Sequence, residues 1–344
     1  MAEGVSESAR RAHPLISIVV PCFNEEQSIA ALHGELTRVL ATRPEVDCEF
    51  VFVDDGSTDG TARALDDLVG ADPRVTVVTL SRNFGHQPAV GAGLARASGD
   101  AVIVCDADLQ DPPEIMPEMI DRWRDGADVV YAVRSSRQGS ALRRAAYHVF
   151  YRILNSVSEL DIPADCGDFG LMDRRVVDAI NGLPERNRFV RGLRAWVGYE
   201  QTALAYHRPE RLLGTSKYSF GRLLRLALDG IFDFSTKPLT LIFVLGLVSS
   251  VLSLAGFAFF LAHRVIGFKV LGHTPEEVPG ITSVVLAVFF FGGVQLLATG
   301  VLGEYVGRIY REVKRRPSFI VKAVNGRQVG RDVGLPRQSA LAGE

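Results

Sequence analysis

From Leu15 to Val133 the chain repeats one rhythm, a short apolar run followed by an amphipathic stretch. Leu15 to Val20 (LISIVV) is β-branched and predicts a strand closed by Pro21. Asn24-Glu25-Glu26 then opens a helix to about Leu40, with Ile29, Leu32, Leu36, Val39 and Leu40 on one face. Phe50–Val53 predicts a second strand, followed by a helix through Leu68. Val75–Leu80 predicts a third, followed by a helix of small residues with Ala89, Gly91, Gly93 and Ala97. Ala101–Val104 predicts a fourth, and Pro113 starts the helix after it, which runs to about Trp123. Asp128–Val133 predicts a fifth. Strands alternating with helices at this spacing give an α/β domain, a mostly parallel sheet with helices on both faces.

The C-terminal third has a different pattern. Leu239 to Ala262 and Val278 to Gly303 carry no charge, and each exceeds the ~20 residues that span a bilayer as a helix. Six apolar turns without a polar face do not suit a soluble core helix, so two transmembrane helices are expected. Arg222, Arg225 and Lys237 precede the pair, and Arg308, Arg311, Lys314, Arg315 and Arg316 follow it. Arg264 and Lys269 in the connecting loop are balanced by Glu276 and Glu277. This asymmetry puts both ends in the cytoplasm. Leu223, Leu224, Leu226, Ala227, Ile231 and Phe232, with Arg222 and Arg225 beside them, predict an amphipathic interfacial helix lying on the membrane. The expected organisation is a disordered tail (1–13), a cytoplasmic catalytic domain (14–210), and a loop and juxtamembrane helix (211–237). A two-helix hairpin (238–304) and a basic cytoplasmic tail (305–344) follow. The expected location is the inner, cytoplasmic membrane of the cell. The Gly292-Gly293 pair and the Gly300–Gly303 run permit close helix contact and a homo-oligomer.

Composition narrows this only a little. The net charge of −2 argues against nucleic acid as a partner. Cys22, Cys48, Cys105 and Cys166 are widely spaced with no CxxC, and read as free thiols in a reducing compartment.

The chemistry gathers where a sheet of this kind binds ligands, beyond the carboxyl ends of its strands. Pro21–Glu25, Asp54–Asp59, Arg82–Gly85 and Asp106–Asp111 all follow predicted strands. Asp106, Asp108 and Asp111 concentrate like charge, which a hard cation such as Mg²⁺ or Mn²⁺ relieves through carboxylate, amide and phosphate oxygens. Taken alone, that stretch fits a metal site or an acidic turn with a capping Asp equally well; four converging clusters favour the metal. Asp111 reads as a cap for the next helix or as a third ligand. Asp55 suits accepting from the N–H groups of uracil or guanine, or else capping a turn, which Asp59 does as well. Gly91-Ala92-Gly93 lacks the third Gly of a dinucleotide fingerprint and lies within a helix, so it reads as close packing; Gly56–Thr61 lacks the Lys of a P-loop. Arg134, Arg137, Arg143 and Arg144 precede the aromatic stretch Ala145–Leu154 and suit a lipid phosphate, or else form a solvated basic face.

PCFNEE (Pro21–Glu26), VDDGSTDGT (Val53–Thr61), RNFGHQPAVGAG (Arg82–Gly93) and DADLQDPPE (Asp106–Glu114) resemble the donor-binding motifs of glycosyltransferase family 2, whose fold is of the GT-A type. GDFGLMDRRVV (Gly167–Val177), GTSKYSFGRLL (Gly214–Leu224) and the two apolar segments resemble its polyprenyl-phosphate glycosyltransferases, the group of bactoprenol glucosyltransferases and dolichol-phosphate mannose synthase. The resemblance implies donor binding by Pro21, Asn24, Glu25, Asp55, Gly56, Arg82 and Asp106. It implies metal binding by Asp106, Asp108 and Gln110. For the acceptor phosphate it implies Arg134 and Arg143, with Arg144, Ser216 and Lys217 beside them. Asp106, Asp108, Arg134 and Arg143 then form the catalytic set. Gly170 stands where the family often has Arg, and His86 where Lys is frequent.

The implied reaction is inverting transfer of a sugar from a nucleotide sugar, UDP-glucose favoured, to a polyprenyl phosphate. A phosphate acceptor ionises near pH 6, so no strong base is required, and Asp168 suits orienting it. A flippase or membrane glycosyltransferase would act on the product. GDP-mannose is the alternative donor. A processive synthase is disfavoured, because only two spans and no QxxRW run are present. A non-catalytic nucleotide-sugar-binding scaffold is the alternative of another class.

Overall fold

The computed structural model describes residues 13–134, 166–185, 189–206, 237–266 and 281–328. They divide into two compact units. One holds the sheet and includes the residues after Arg315; the other contains two long helices.

In the sheet unit the predicted alternation appears as β1 (Leu15–Cys22), α1 (Ile29–Leu40), β2 (Asp47–Asp54), α2 (Thr61–Ala71), β3 (Val75–Leu80), α3 (His86–Arg96) and β4 (Ala101–Val104). After a 3₁₀ turn at Pro113–Ile115 come α4 (Met116–Arg124) and β5 (Val129–Arg134). Beyond the predicted strands lie β6 (Cys166–Asp173), α5 (Arg174–Gly182), α6 (Val190–Trp196), β7 (Gln201–Tyr206), β8 (Val321–Val324) and β9 (Arg327–Gln328). Strand order is β7-β5-β6-β4-β1-β2-β3-β8-β9.

β1 to β5 run in one direction, as the alternation requires, and β7 runs parallel to β5. Two strands change the picture. β6 is antiparallel to both β4 and β5, between which it lies, and β8 is antiparallel to β3. The sheet is therefore mixed in its pairing. Residues 321–328, assigned from sequence to a basic tail, form its outer edge.

Period-two alternation divides the core. Ile16, Ile18 and Val20 of β1 join one buried cluster with Ile29, Leu32 and Leu36 of α1, Leu65 of α2, and Met119, Ile120 and Trp123 of α4. On the other face Val19 meets α3. A Cβ built on Gly93 would lie 2.2 Å from Val19 Cγ1 and 3.2 Å from Val53 Cγ2, so Gly93 lets α3 lie against β1 and β2. That close approach fixes where His86, the first residue of α3, emerges at the carboxyl edge.

The second unit contains α7 (Lys237–Ile266) and α8 (Ile281–Val313), of 30 and 33 residues, which touch each other. Among the described residues, every exposed large apolar side chain except Phe23, Trp196 and Ile320 lies on these two helices. Among the described residues no helix is long and apolar enough to cross a membrane. Of the loop and interfacial helix expected within 211–237, only Lys237 is among the described residues.

Gly93→Ala adds a methyl where a β-branched side chain already sits, and overpacking of this kind costs about 1–3 kcal/mol. The melting temperature should fall by several degrees in a thermal-shift assay; an unchanged value would remove the close-packing account of α3.

Candidate active site

Three loops at the carboxyl ends of adjacent strands build one cleft of about 170 Å³, lined by Pro21, Cys22, Phe23, Asp55, Asn83, Gly85, His86 and Ala89. The loops fasten each other. Asn24, with φ of 58°, accepts at Oδ1 from Thr58 N–H (2.8 Å), and its own N–H donates to Ser57 Oγ (3.1 Å). Glu25 N–H donates to Thr61 Oγ1 at 2.8 Å, and the Glu25 carboxylate accepts from Ser28 Oγ at 2.8 Å. Asn24 and Glu25 thus tie the first loop to the second. Gly56, with φ of 69°, has room for no side chain: a Cβ would lie 2.5 Å from the Arg82 carbonyl carbon. The second and third loops meet backbone to backbone at that point.

Asp55 is buried, and its oxygens accept from Phe84 N–H (2.7 Å) and Gly85 N–H (2.9 Å). Burial raises its pKa above the ordinary range despite those two amides. Asp55 therefore holds the third loop and lines the cleft, while the turn that follows β2 is bonded by its neighbour Asp54, which accepts from Ser57 N–H at 2.9 Å. Each oxygen retains a lone pair for an N–H donor. Arg82 lies exposed, with its guanidinium 4.1 Å from the centre of the Phe84 ring.

The acidic loop follows β4. Asp106 is raised above the carboxylate range, chiefly by burial, with Asp168 and Asp108 adding like charge. Gln110 N–H donates to Asp108 Oδ1 at 3.2 Å, and Leu109 between them sits at φ of 57°, a strained value for a branched residue. Two carboxylates and an amide on one strained loop, one acid already disfavoured as an anion, fit a hard divalent cation. Among the described residues no three His, Cys, Asp or Glu side chains converge into a cage. Waters and phosphate oxygens would supply the remaining ligands, as is usual for Mg²⁺. Asp111 does not cap the next turn. It is buried, accepts from Asp106 N–H (3.2 Å) and Tyr206 OH (3.4 Å), and so shapes the acidic loop from beneath.

Beside Asp106 lies a network that the sequence reading did not assemble. Asp168, with a side chain 4% exposed, accepts from Arg191 Nε (2.8 Å) and Nη2 (3.0 Å) and from Gln87 Nε2 (3.0 Å). His86 Nε2 lies 3.0 Å from Asp168 Oδ2 and 3.7 Å from Asp106 Oδ1. Burial opposes the charge on Asp168, but Arg191 and His86 outweigh it and hold the carboxyl well below the usual range. Burial would lower His86; the hydrogen bond and charge of Asp168, with Asp106, raise it instead. A carboxylate held this low is a weak base. Buried among protein donors, Asp168 orients His86, Gln87 and Arg191. Arg191 lies 23 residues from Asp168 on a different element, and nothing local in the sequence marks the pair.

At Gly170 a Cβ would meet Val130 O at 2.8 Å and Arg194 Nη1 at 3.4 Å. Arg194, buried, has its guanidinium 5.3 Å from the centre of the Tyr131 ring. The space beside Gly170 is thus already filled by an arginine from α6. Of the expected acceptor residues, Arg134 ends β5 and only its backbone is described; Arg143, Arg144, Ser216 and Lys217 lie outside the described residues.

Residues 17–180 match the family model "Glycosyl transferase family 2". The chain is 46% identical over 312 residues to an uncharacterized glycosyltransferase of Synechocystis sp., covering 90% of this chain and 96% of that one. It is 44% identical over 309 residues to the bactoprenol glucosyl transferase of Shigella phage SfII, covering 89% and 97%. It is 41% identical over 311 residues to a prophage bactoprenol glucosyl transferase homolog of Escherichia coli K12, covering 90% and 99%. Among solved structures, a mannosyltransferase from Pyrobaculum calidifontis in complex with GDP-Man and Mn²⁺ aligns at 17% identity, covering 88% and 87%, with a TM-score of 0.46.

Arg191→Gln leaves the buried Asp168 charge without its main counter-ion and should cost about 2–4 kcal/mol at pH 7. Because the Asp168 pKa is depressed by folding, its stabilisation is complete above the ordinary carboxylate pKa and is lost as pH falls. The wild type should therefore lose more stability than Arg191→Gln between pH 5 and pH 2. Parallel melting curves across that range would contradict the assignment.

Proposed function

The chain belongs to glycosyl transferase family 2, and on that premise we propose that it transfers a sugar from a nucleotide diphosphate donor to a polyprenyl phosphate at the cytoplasmic face of a membrane. One observation carries the reading: the cleft of Asp55 and the acidic pair Asp106 and Asp108 lie at the carboxyl edge of one sheet, with His86 belonging to both. A base donating N–H to Asp55 leaves its diphosphate to be met by the acidic loop. Asp106, Asp108 and Gln110 would hold Mg²⁺ or Mn²⁺, which supplies charge neutralisation for the leaving diphosphate. Phe23, exposed at the rim, offers the base an aromatic face.

The acceptor reading draws on the bactoprenol names of the relatives. A polyprenyl phosphate arrives largely ionised at neutral pH, with a second pKa near 6 by analogy with phosphoesters. The weak basicity of Asp168 suits such an acceptor. Arg134, Arg143, Arg144, Ser216 and Lys217 are assigned to its phosphate. The acceptor oxygen attacks the anomeric carbon opposite the diphosphate and inverts it.

Membrane attachment is assigned to α7 and α8. At 1.5 Å per residue they extend about 45 and 50 Å, against a hydrocarbon core of about 30 Å. Their exposed apolar side chains have no reason to face water, and the basic residues from Arg308 to Arg316 favour a cytoplasmic end.

UDP-glucose is the favoured donor and GDP-mannose the second, since Asp55 suits uracil and guanine alike. Membranes containing the protein should be given labelled UDP- and GDP-sugars, polyprenyl phosphate and Mg²⁺ or Mn²⁺. One donor should yield an organic-extractable sugar lipid. Absence of product with every donor would favour the non-catalytic scaffold instead. Asp108→Ala should reduce turnover by at least about a hundredfold, and full activity in that variant would sink the metal assignment. After alkaline carbonate washing the protein should remain in the membrane pellet; release into the supernatant would refute the two spans.

A further inference from the structure

Half of the residues lining the cleft, Asn83, Gly85, His86 and Ala89, follow the end of β3. From the β2 side this segment is held by Asp55 and by the contact at Gly56. On its other side β3 would be a bare sheet edge, with open N–H and C=O groups, were it not for β8.

The β8–β9 hairpin fits β3 at both ends. Its turn, Asn325-Gly326, has φ of 48° and 70°, the pair of left-handed conformations that a two-residue type I′ turn demands. Asn325 does more than turn. Its N–H donates to Val77 O at 2.9 Å, and its Oδ1 accepts from Val77 N–H at 2.7 Å. Pairing continues through Val78 with Val324 and Thr79 with Ala323. The register then shifts: Leu80 pairs with Val321, leaving Lys322 as an extra, unpaired residue on β8. A bulge of this kind bends the strand locally. Beyond it the Ile320 carbonyl accepts from Ser81 N–H at 2.9 Å, so pairing reaches past β3 to the residue just before Arg82.

We propose that the Val321–Gln328 hairpin is part of the donor pocket: by clamping β3 from Val77 to Ser81 it holds the Arg82–Gly85 loop where that loop lines the cleft. The donor half of this statement rests on the transferase reading above; the clamping half does not. Asn325 is thus a positioning residue, acting through β3 and touching no substrate. It also follows that residues 13–206 alone do not make a complete donor site, because a segment beyond α8 closes it.

The test uses the full-length protein in detergent with Asn325→Ala, the milder turn variant Gly326→Ala, and Asn325→Asp, which keeps the acceptor and tolerates the left-handed turn. Amide hydrogen exchange is followed over residues 78–86, and binding of UDP and of GDP is measured with Mg²⁺. In Asn325→Ala, exchange from Ser81 to Gly85 should quicken about tenfold, and the affinity for the bound nucleotide should weaken about fivefold, the scale of one lost hydrogen bond. The KM for the nucleotide sugar should rise while the KM for polyprenyl phosphate stays constant, and Asn325→Asp should restore both. Unchanged exchange at Ser81–Gly85 in both Asn325→Ala and Gly326→Ala overturns the proposal. An equal rise of both KM values also overturns it, since that marks general destabilisation. If the wild type binds neither nucleotide, the transferase reading fails, and the exchange result still decides whether the hairpin holds the loop.

Discussion

Burying carboxylates along one edge of a sheet is the constraint from which most of this arrangement follows. An ionised group removed from water must be matched by donors or it costs several kcal/mol. Here most of the matching donors come from other segments. Asp55 takes two amides of the third loop, Asp111 takes the Asp106 amide and the Tyr206 hydroxyl, and Asp168 takes Arg191, Gln87 and His86. Satisfying the acids and positioning the loops are thus the same event. Asp55 and Asp106 are both held above the ordinary carboxylate range, chiefly by burial. They lie where an N–H donor and a cation are expected, so the excess negative charge sits where a ligand would offset it.

How much of this could be read from residues alone depended on how local the signal was. β1 to β5 were legible because strands covered on both faces are continuous apolar runs, ended by Pro, Asp and Gly clusters. β6 was not, since CGDFGLMD mixes Gly and Asp with its apolar residues and pairs antiparallel within a rhythm that implies parallel strands. The hairpin at the far end did carry a signal. VKAVNGRQ has an Asn-Gly turn between flanking residues, but the surrounding Arg and Lys residues read more strongly as a tail. Arg191 was invisible for another reason. Its function is to neutralise Asp168, and a pairing across the fold leaves no spacing to find. Asp111 was misassigned because a residue before Pro112-Pro113 is a reasonable cap, and only the position of Tyr206 reveals its actual partners.

The two departures from the family's pattern take on a physical meaning. Gly170 leaves no vacancy, because the guanidinium of Arg194 lies against it and beside the Tyr131 ring. At His86, where a permanent cation is frequent, burial disfavours the protonated ring, and Asp168 with Asp106 outweighs it. Arg191 supplies the permanent positive charge at that corner, bonded to the same Asp168 that His86 meets.

The antiparallel pairing of β8 with β3 also bears on how the molecule is made. Val77 and Asn325 are 248 residues apart. At about 5–20 residues per second, the ribosome needs roughly 12–50 s to deliver the second after the first. Throughout that interval the outer edge of β3 is without its partner, while both long apolar helices are being synthesised. The nascent sheet thus stays open at the strand that carries the Arg82–Gly85 loop until the residues beyond α8 have been made.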